Sequence, residues 1–197
     1  MARQDGPPIG AMIAGAVVSA VVVLGVIVAL ARLFPDPPAP SAAGDPLPTS
    51  ESAWMSQGLD QFAAGDLYAA QESFRQAVRL APNSALAVFN LGAVGQALGD
   101  TAGARDLYQR AVSLDPTLVD AHFNLALVLS ELGSREEAEA AYRRVLDLQP
   151  DRATAAWNLG LMLNEDGRTA AARRLLNRAI ELDRSLEGRL PAGVYLG

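Results

Sequence analysis

Three asparagines, Asn90, Asn124 and Asn158, stand 34 residues apart, and each follows an aromatic residue, Phe89, Phe123 or Trp157. A side-chain amide both donates and accepts, so a ladder of three at one interval could hydrogen-bond successive peptide groups of a bound segment without reading its side chains. That is binding chemistry, and groups suited to turnover are sparse. His122 is the single histidine, and one imidazole makes no metal site. Glu136, Glu137 and Glu139 could be written as metal ligands, but they fall at the start of a helix, where carboxylates offset the dipole. Asn164-Glu165-Asp166-Gly167 lacks the spacing and terminal glutamate of a calcium loop and reads as a turn between helices. The chain has no cysteine, which removes disulfides, thiolate metal sites, iron–sulfur clusters and cysteine nucleophiles. It contains no Gly-rich phosphate loop, dinucleotide fingerprint or nucleophile elbow. The expectation is a protein that is no enzyme and takes no cofactor, metal or small-molecule substrate.

The elements that hold the asparagines repeat with them. Pro82, Pro116 and Pro150 keep the same interval, as do Gly65, Gly99, Gly133 and Gly167. In phase with these run Gly58, Gly92, Ala126 and Gly160, then Ala70, Ala104, Ala138 and Ala172, then Phe74, Tyr108, Tyr142 and Leu176. Each unit divides at its glycine turn into two stretches with apolar residues at three- and four-residue spacing, which predicts two amphipathic helices per unit. The small residues let the paired helices approach closely, and the aromatic fills the space between that pair and the next. All 16 basic side chains are arginine, set against 22 acids for a formal charge of -6. Nucleic acid finds no electrostatic foothold there.

Residues 1–8 form a short tail ahead of a span over 9–34, within which Ile9 to Leu30 carry no charge, Asn, Gln or Pro. As a helix this run reaches about 33 Å at about 1.5 Å per residue, enough to cross a membrane once and to contact lipid along its length. A cleaved secretory leader is the competing reading, since Ala29-Leu30-Ala31 has a small-x-small form, but the run exceeds the usual leader core. Arg3 and Arg32 leave the positive-inside count almost balanced, with the terminal amine favouring an inward amino terminus. Ala11, Gly15 and Ser19 form a small-residue stripe suited to a second membrane helix, or simply an Ala- and Gly-rich helix without a partner. Residues 35–50 hold six prolines and read as a semi-rigid spacer or a connector without set geometry.

Over residues 51–186 the chain resembles the tetratricopeptide repeat family, in Phe89-Asn90-Leu91-Gly92, Phe123-Asn124-Leu125-Ala126 and Trp157-Asn158-Leu159-Gly160 as openings of successive units. The resemblance spans four units, 51–84, 85–118, 119–152 and 153–186, and implies an all-α solenoid of helix-turn-helix repeats preceded by one transmembrane helix. The end units depart from the pattern: Met55-Ser56-Gln57 stands in the first, and Leu176 and Arg184 in the fourth. Residues 187–197 form a tail without a full amphipathic helix. Its apolar Leu190, Val194, Tyr195 and Leu196 would fold back on the last unit or dock on a partner, with folding back preferred.

In this architecture the first helices line the concave face. The stretches 51–64, 85–98, 119–132 and 153–166 contain no arginine, so the resemblance gives no match to the members that clamp acidic carboxyl termini. The candidate partner-binding residues are Asn90, Asn124 and Asn158 with Phe89, Phe123, Trp157, Leu127 and Leu161, alongside Met55 and Phe62, edged by Asp120, Glu131 and Glu165. An apolar or mildly basic peptide segment or protein partner suits them. The alternative is that these residues are repeat consensus, with the aromatics packing between helices. With the apolar span as anchor and the terminal amine placing the repeats on the periplasmic side of a bacterial inner membrane, the expectation is an adaptor or assembly factor, and the resemblance suggests the setting of tethered proteins that present apocytochromes for haem attachment. A permanent accessory subunit of a larger membrane complex is the alternative.

Overall fold

Glycine decides where each helix pair turns. Gly65, Gly99, Gly133 and Gly167 have φ of 81°, 86°, 77° and 74°, a left-handed backbone that a side chain enters only at about 1–2 kcal/mol. Each closes the helix before it with a double bond pattern: Asp66 N–H donates to the Gln61 carbonyl at 2.9 Å and Gly65 N–H to Phe62 at 3.0 Å, and the same pair recurs at the other three turns. The following helix starts at once. In the first two units its amino end is capped by Asp66 and Asp100, whose carboxylates accept from Ala69 N–H at 3.2 Å and Gly103 N–H at 2.9 Å.

The computed structural model describes residues 48–190. The tail 1–8, the 9–34 span, the connector up to residue 47 and residues 191–197 lie outside the described residues. Eight helices follow one another: α1 Glu51–Ala63, α2 Leu67–Leu80, α3 Ala85–Ala97, α4 Thr101–Leu114, α5 Val119–Glu131, α6 Arg135–Leu148, α7 Ala153–Glu165 and α8 Thr169–Leu182. A 3-10 segment, Arg184–Arg189, closes the order, with no strand among the described residues. Each helix packs chiefly on its neighbours in sequence, the one-dimensional organisation of a solenoid. Among the described residues no helix is long and apolar enough to cross a membrane.

The small residues do what their spacing predicts. A Cβ added at Gly58, Gly92 or Gly160 would lie 2.7 Å from Phe74, 2.9 Å from Tyr108 or 2.8 Å from Leu176. Those three large side chains and Tyr142 are buried between one helix pair and the next, with Ala70, Ala104, Ala138 and Ala172 beside them. Gly95 in α3 differs, because open space surrounds the place of its Cβ, whereas its in-phase counterparts Leu129 and Leu163 are buried side chains. Gly95→Ala is therefore expected to stabilise the array by about 1 kcal/mol through helix propensity. An upward shift of the denaturation midpoint checks this, and a downward shift would refute it.

Both ends of the stack are finished. Where inner units bury Ala87 and Val94, the first unit exposes Ala53 and Asp60, a polar edge facing no earlier unit. At the other end Leu186 of the 3-10 segment is buried with Ala156, Trp157, Leu176 and Ala179, and Leu190 packs against the same cluster. Of the four residues expected to fold back, Leu190 packs on the last unit. Val194, Tyr195 and Leu196 lie outside the described residues.

Candidate functional site

The opening helices α3, α5 and α7 place the three asparagines in register, all half-buried, but not in equivalent surroundings. Asn124 donates its amide N–H to the Tyr108 hydroxyl at 3.3 Å, and that hydroxyl donates in turn to Gln96 Oε1 at 2.9 Å. Ser130 and Asn158 are the polar side chains beside the Tyr142 hydroxyl. Asn124 therefore spends hydrogen-bonding capacity on a tyrosine of the preceding unit, and Asn158 has such a hydroxyl beside it. The counterpart of those tyrosines in the first unit is Phe74, which has no hydroxyl, and Asn90 makes no side-chain hydrogen bond to any described residue. Asn90 is the amide left with its full capacity for a partner.

The aromatics differ in the same way. Phe89 stacks at a tilt on Tyr108, centroids 5.7 Å apart, and Phe123 meets Tyr142 edge-on at 6.0 Å. Both keep part of their surface. Phe123 is further covered by the Arg152 guanidinium, 4.8 Å above its ring, while Arg152 also pairs with Asp120 at 2.7 Å. A cation thus reaches this face from the loop before α7, although the opening helices carry none. Trp157 is only 6% exposed and belongs to the core sealed by Leu186, so it presents no anchor. Leu127 and Leu161 remain half-buried.

Two exposed leucines also lie on the opening helices, one a turn before Asn90 and one in phase with Leu127 and Leu161. Leu59 on α1 and Leu86 on α3 are 49% and 52% exposed. The signal for Leu86 was available, since Asp120 and Thr154 hold the same phase in later units. With Phe62 and Phe89 partly buried behind them, the open apolar surface of the opening helices concentrates in the first two units.

Acids at the opposite rim are engaged. Arg135 binds Glu165 at 3.2 Å, Asp166 at 2.8 Å and the Met162 carbonyl at 2.9 Å, so Asn164 to Gly167 forms the inter-helix turn its sequence suggested. Burial pushes the Glu131 carboxyl above its usual range, and a hydrogen bond with Thr101 pulls it back. Glu139 pairs with Arg168 at 2.7 Å and Arg143 at 2.6 Å. His122 Nε2 lies 3.1 Å from the Pro116 carbonyl, and burial lowers its pKa.

Burial raises the pKa of Tyr108, and raises that of Tyr142 from 10.0 to about 12. Unfolded tyrosines ionise near pH 10 while these two resist, so ionisation draws the equilibrium toward the unfolded chain as pH rises through that window. Stability should hold below pH 10 and fall between pH 10 and about 12. Tyrosinate absorbance recorded beside circular dichroism tests this: the buried pair should ionise only as helicity is lost, and full ionisation with helicity intact would contradict it.

A tetratricopeptide repeat family model matches residues 55–118 and 123–187. Among solved structures, MamA is 25% identical, with a TM-score of 0.66 over 73% of this chain and 84% of that one. Pseudomonas aeruginosa pilF is 26% identical, with a TM-score of 0.62 over 68% of this chain and 61% of that one. The first tetratricopeptide domain of Spaghetti (RPAP3), bound to an HSP90 peptide SRMEEVD, shares the fold at 21% identity, with a TM-score of 0.58 over 60% of this chain and 94% of that one. The comparison with curated proteins gives no match.

Proposed function

The chain belongs to the tetratricopeptide repeat family, a protein-interaction fold, and from that membership we propose that it is a membrane-anchored adaptor. It captures a segment of another protein on the face of α1, α3 and α5. The observation that carries this reading is the pairing of Asn90, whose amide has no partner among the described residues, with the exposed Leu59 and Leu86. An amide able to hold a peptide group, flanked by apolar anchors, suits an apolar segment bound in helical or extended form. The SRMEEVD peptide bound by the RPAP3 domain is acidic, and such a ligand is poorly matched here because the opening helices lack arginine. The apolar run 9–34 supplies the anchor and residues 35–50 the spacer. The amino terminus faces inward and the repeats lie outside the cytoplasm of a bacterial inner membrane, where the adaptor serves assembly of a membrane or extracytoplasmic complex such as a c-type cytochrome.

Asn90→Ala is expected to weaken partner capture about five- to tenfold, the worth of one hydrogen bond, while leaving the denaturation midpoint unchanged. Capture quantified by co-purification from mildly solubilised membranes decides this. Undiminished capture would remove the face from the account. Stoichiometric recovery in one complex would replace the adaptor with a permanent subunit.

A further inference from the structure

Polar side-chain links tie the later units together, and the first junction lacks the residues that form them. One joins the buried tyrosine of the second unit to the asparagine 16 residues on, Asn124 on Tyr108 at 3.3 Å, and the same two residue types, Tyr142 and Asn158, stand at the next junction. Between the first and second units the pair in phase is Phe74 and Asn90, where no hydroxyl exists to receive the amide. The other joins the first residue of α6 to a carboxylate 30 residues on, Arg135 with Glu165 at 3.2 Å, with Thr101 and Glu131 the pair in phase before it. At the first junction that pair is Leu67 and Ala97, which cannot form it.

The imbalance grows along the stack. The junction of the third and fourth units adds Arg168 on Glu139 at 2.7 Å and Arg135 on Asp166 at 2.8 Å. The first junction keeps, among side-chain bonds bridging the helices of the two units, the Arg110 guanidinium on the Pro82 carbonyl. The rest of its cohesion is the apolar contact of Met55, Phe74 and Ala77 with Ala87 and Val94. Apolar contact is non-directional, whereas hydrogen bonds fix an orientation.

We propose that α1 and α2 form a hinged first unit that opens from a rigid block of α3 to α8. Opening exposes Ala87 and Val94 and widens the end of the face where Leu59, Leu86 and Asn90 lie. It is a local equilibrium of lower free energy than global unfolding, set by the missing links. The hinge stands whatever partner the face receives.

Hydrogen–deuterium exchange on the full chain, resolved by helix, tests it. The amides of α1 and α2 should exchange about tenfold faster than those of α7 and α8. Because Leu186 covers α7 and α8, the decisive comparison is made within α1 and α2, between the unmodified chain and a variant that supplies the links. A variant carrying both missing links, Phe62→Gln with Phe74→Tyr and Leu67→Arg with Ala97→Glu, should slow α1 and α2 about five- to tenfold. Equal rates at the two ends of the unmodified chain, or a folded variant with unchanged exchange in α1 and α2, overturns the hinge. If that variant does not fold, Leu67→Arg with Ala97→Glu alone, at a half-buried and an exposed position, takes its place with the same two outcomes.

Discussion

Tyr108→Ala should destabilise the array by about 3–5 kcal/mol, the range for removing a buried aromatic ring, and Tyr108→Phe by about 1 kcal/mol, the worth of its hydroxyl bonds. The ring is fully buried, lies against Gly92 and meets Phe89. Its hydroxyl ties Gln96 of its own unit to Asn124 of the next, so the phenylalanine variant isolates the polar link from the packing. Urea denaturation of the two variants separates these contributions. A loss of less than about 1 kcal/mol for Tyr108→Ala would mean that neighbouring side chains collapse into the space and that the ring does not hold the second and third units together. Tyr108→Phe should also free Asn124, making it resemble Asn90.

The second large effect is at the far end. Leu186→Ala should destabilise the fourth unit by about 2–4 kcal/mol, because Leu186 is 3% exposed and covers Trp157, Leu176 and Ala179. Leu186→Asp should do more, placing a charge on that apolar edge and leaving it open to self-association. Tryptophan emission reads the event, since uncovering Trp157 moves it to longer wavelength while the half-buried Trp54 at the other end is undisturbed. Unchanged emission and an unchanged melting profile would show that the 3-10 segment is an ornament on the array rather than its cap.

These two sites also show how far the chain can be read without coordinates. The two-helix unit, its glycine turns and the burial of Phe74, Tyr108 and Tyr142 follow from spacing, because close packing leaves few residue types for each place. Trp157 was misleading for a physical reason. It holds the phase of Phe89 and Phe123, but the last unit has no successor, and the segment that covers it, Arg184–Arg189, has no helical periodicity to announce it. The asparagines were placed on the correct helices with their partners unseen. Yet the clue lay in phase: Phe62 and Phe74 in the first unit become Gln96 and Tyr108 in the second and Ser130 and Tyr142 in the third. In these three units the hydroxyl and its polar neighbour come and go together, as a buried polar contact requires, while the end unit departs with Asn164 and Leu176.

The distribution of contacts along the stack has a consequence for binding. The third and fourth units are stitched by ion pairs individually worth about 0–1 kcal/mol, and Arg152 roofs part of their face over Phe123. The first two units are apolar, open and less constrained. A partner that docks there meets free anchors and an amide without competing bonds.

The central claim, that a partner lies on the first-helix face around Asn90, is tested most directly by site-specific photo-crosslinking in the full chain. Crosslinkers would be placed in turn at Leu59 and Leu86 and, for comparison, at Gln109 and Arg143 on the second helices. Adducts of one defined mass from positions 59 and 86, absent from 109 and 143 and lost in competition with excess unmodified chain, are the predicted result. Adducts of that same partner arising from 109 or 143 and not from 59 or 86 would contradict it.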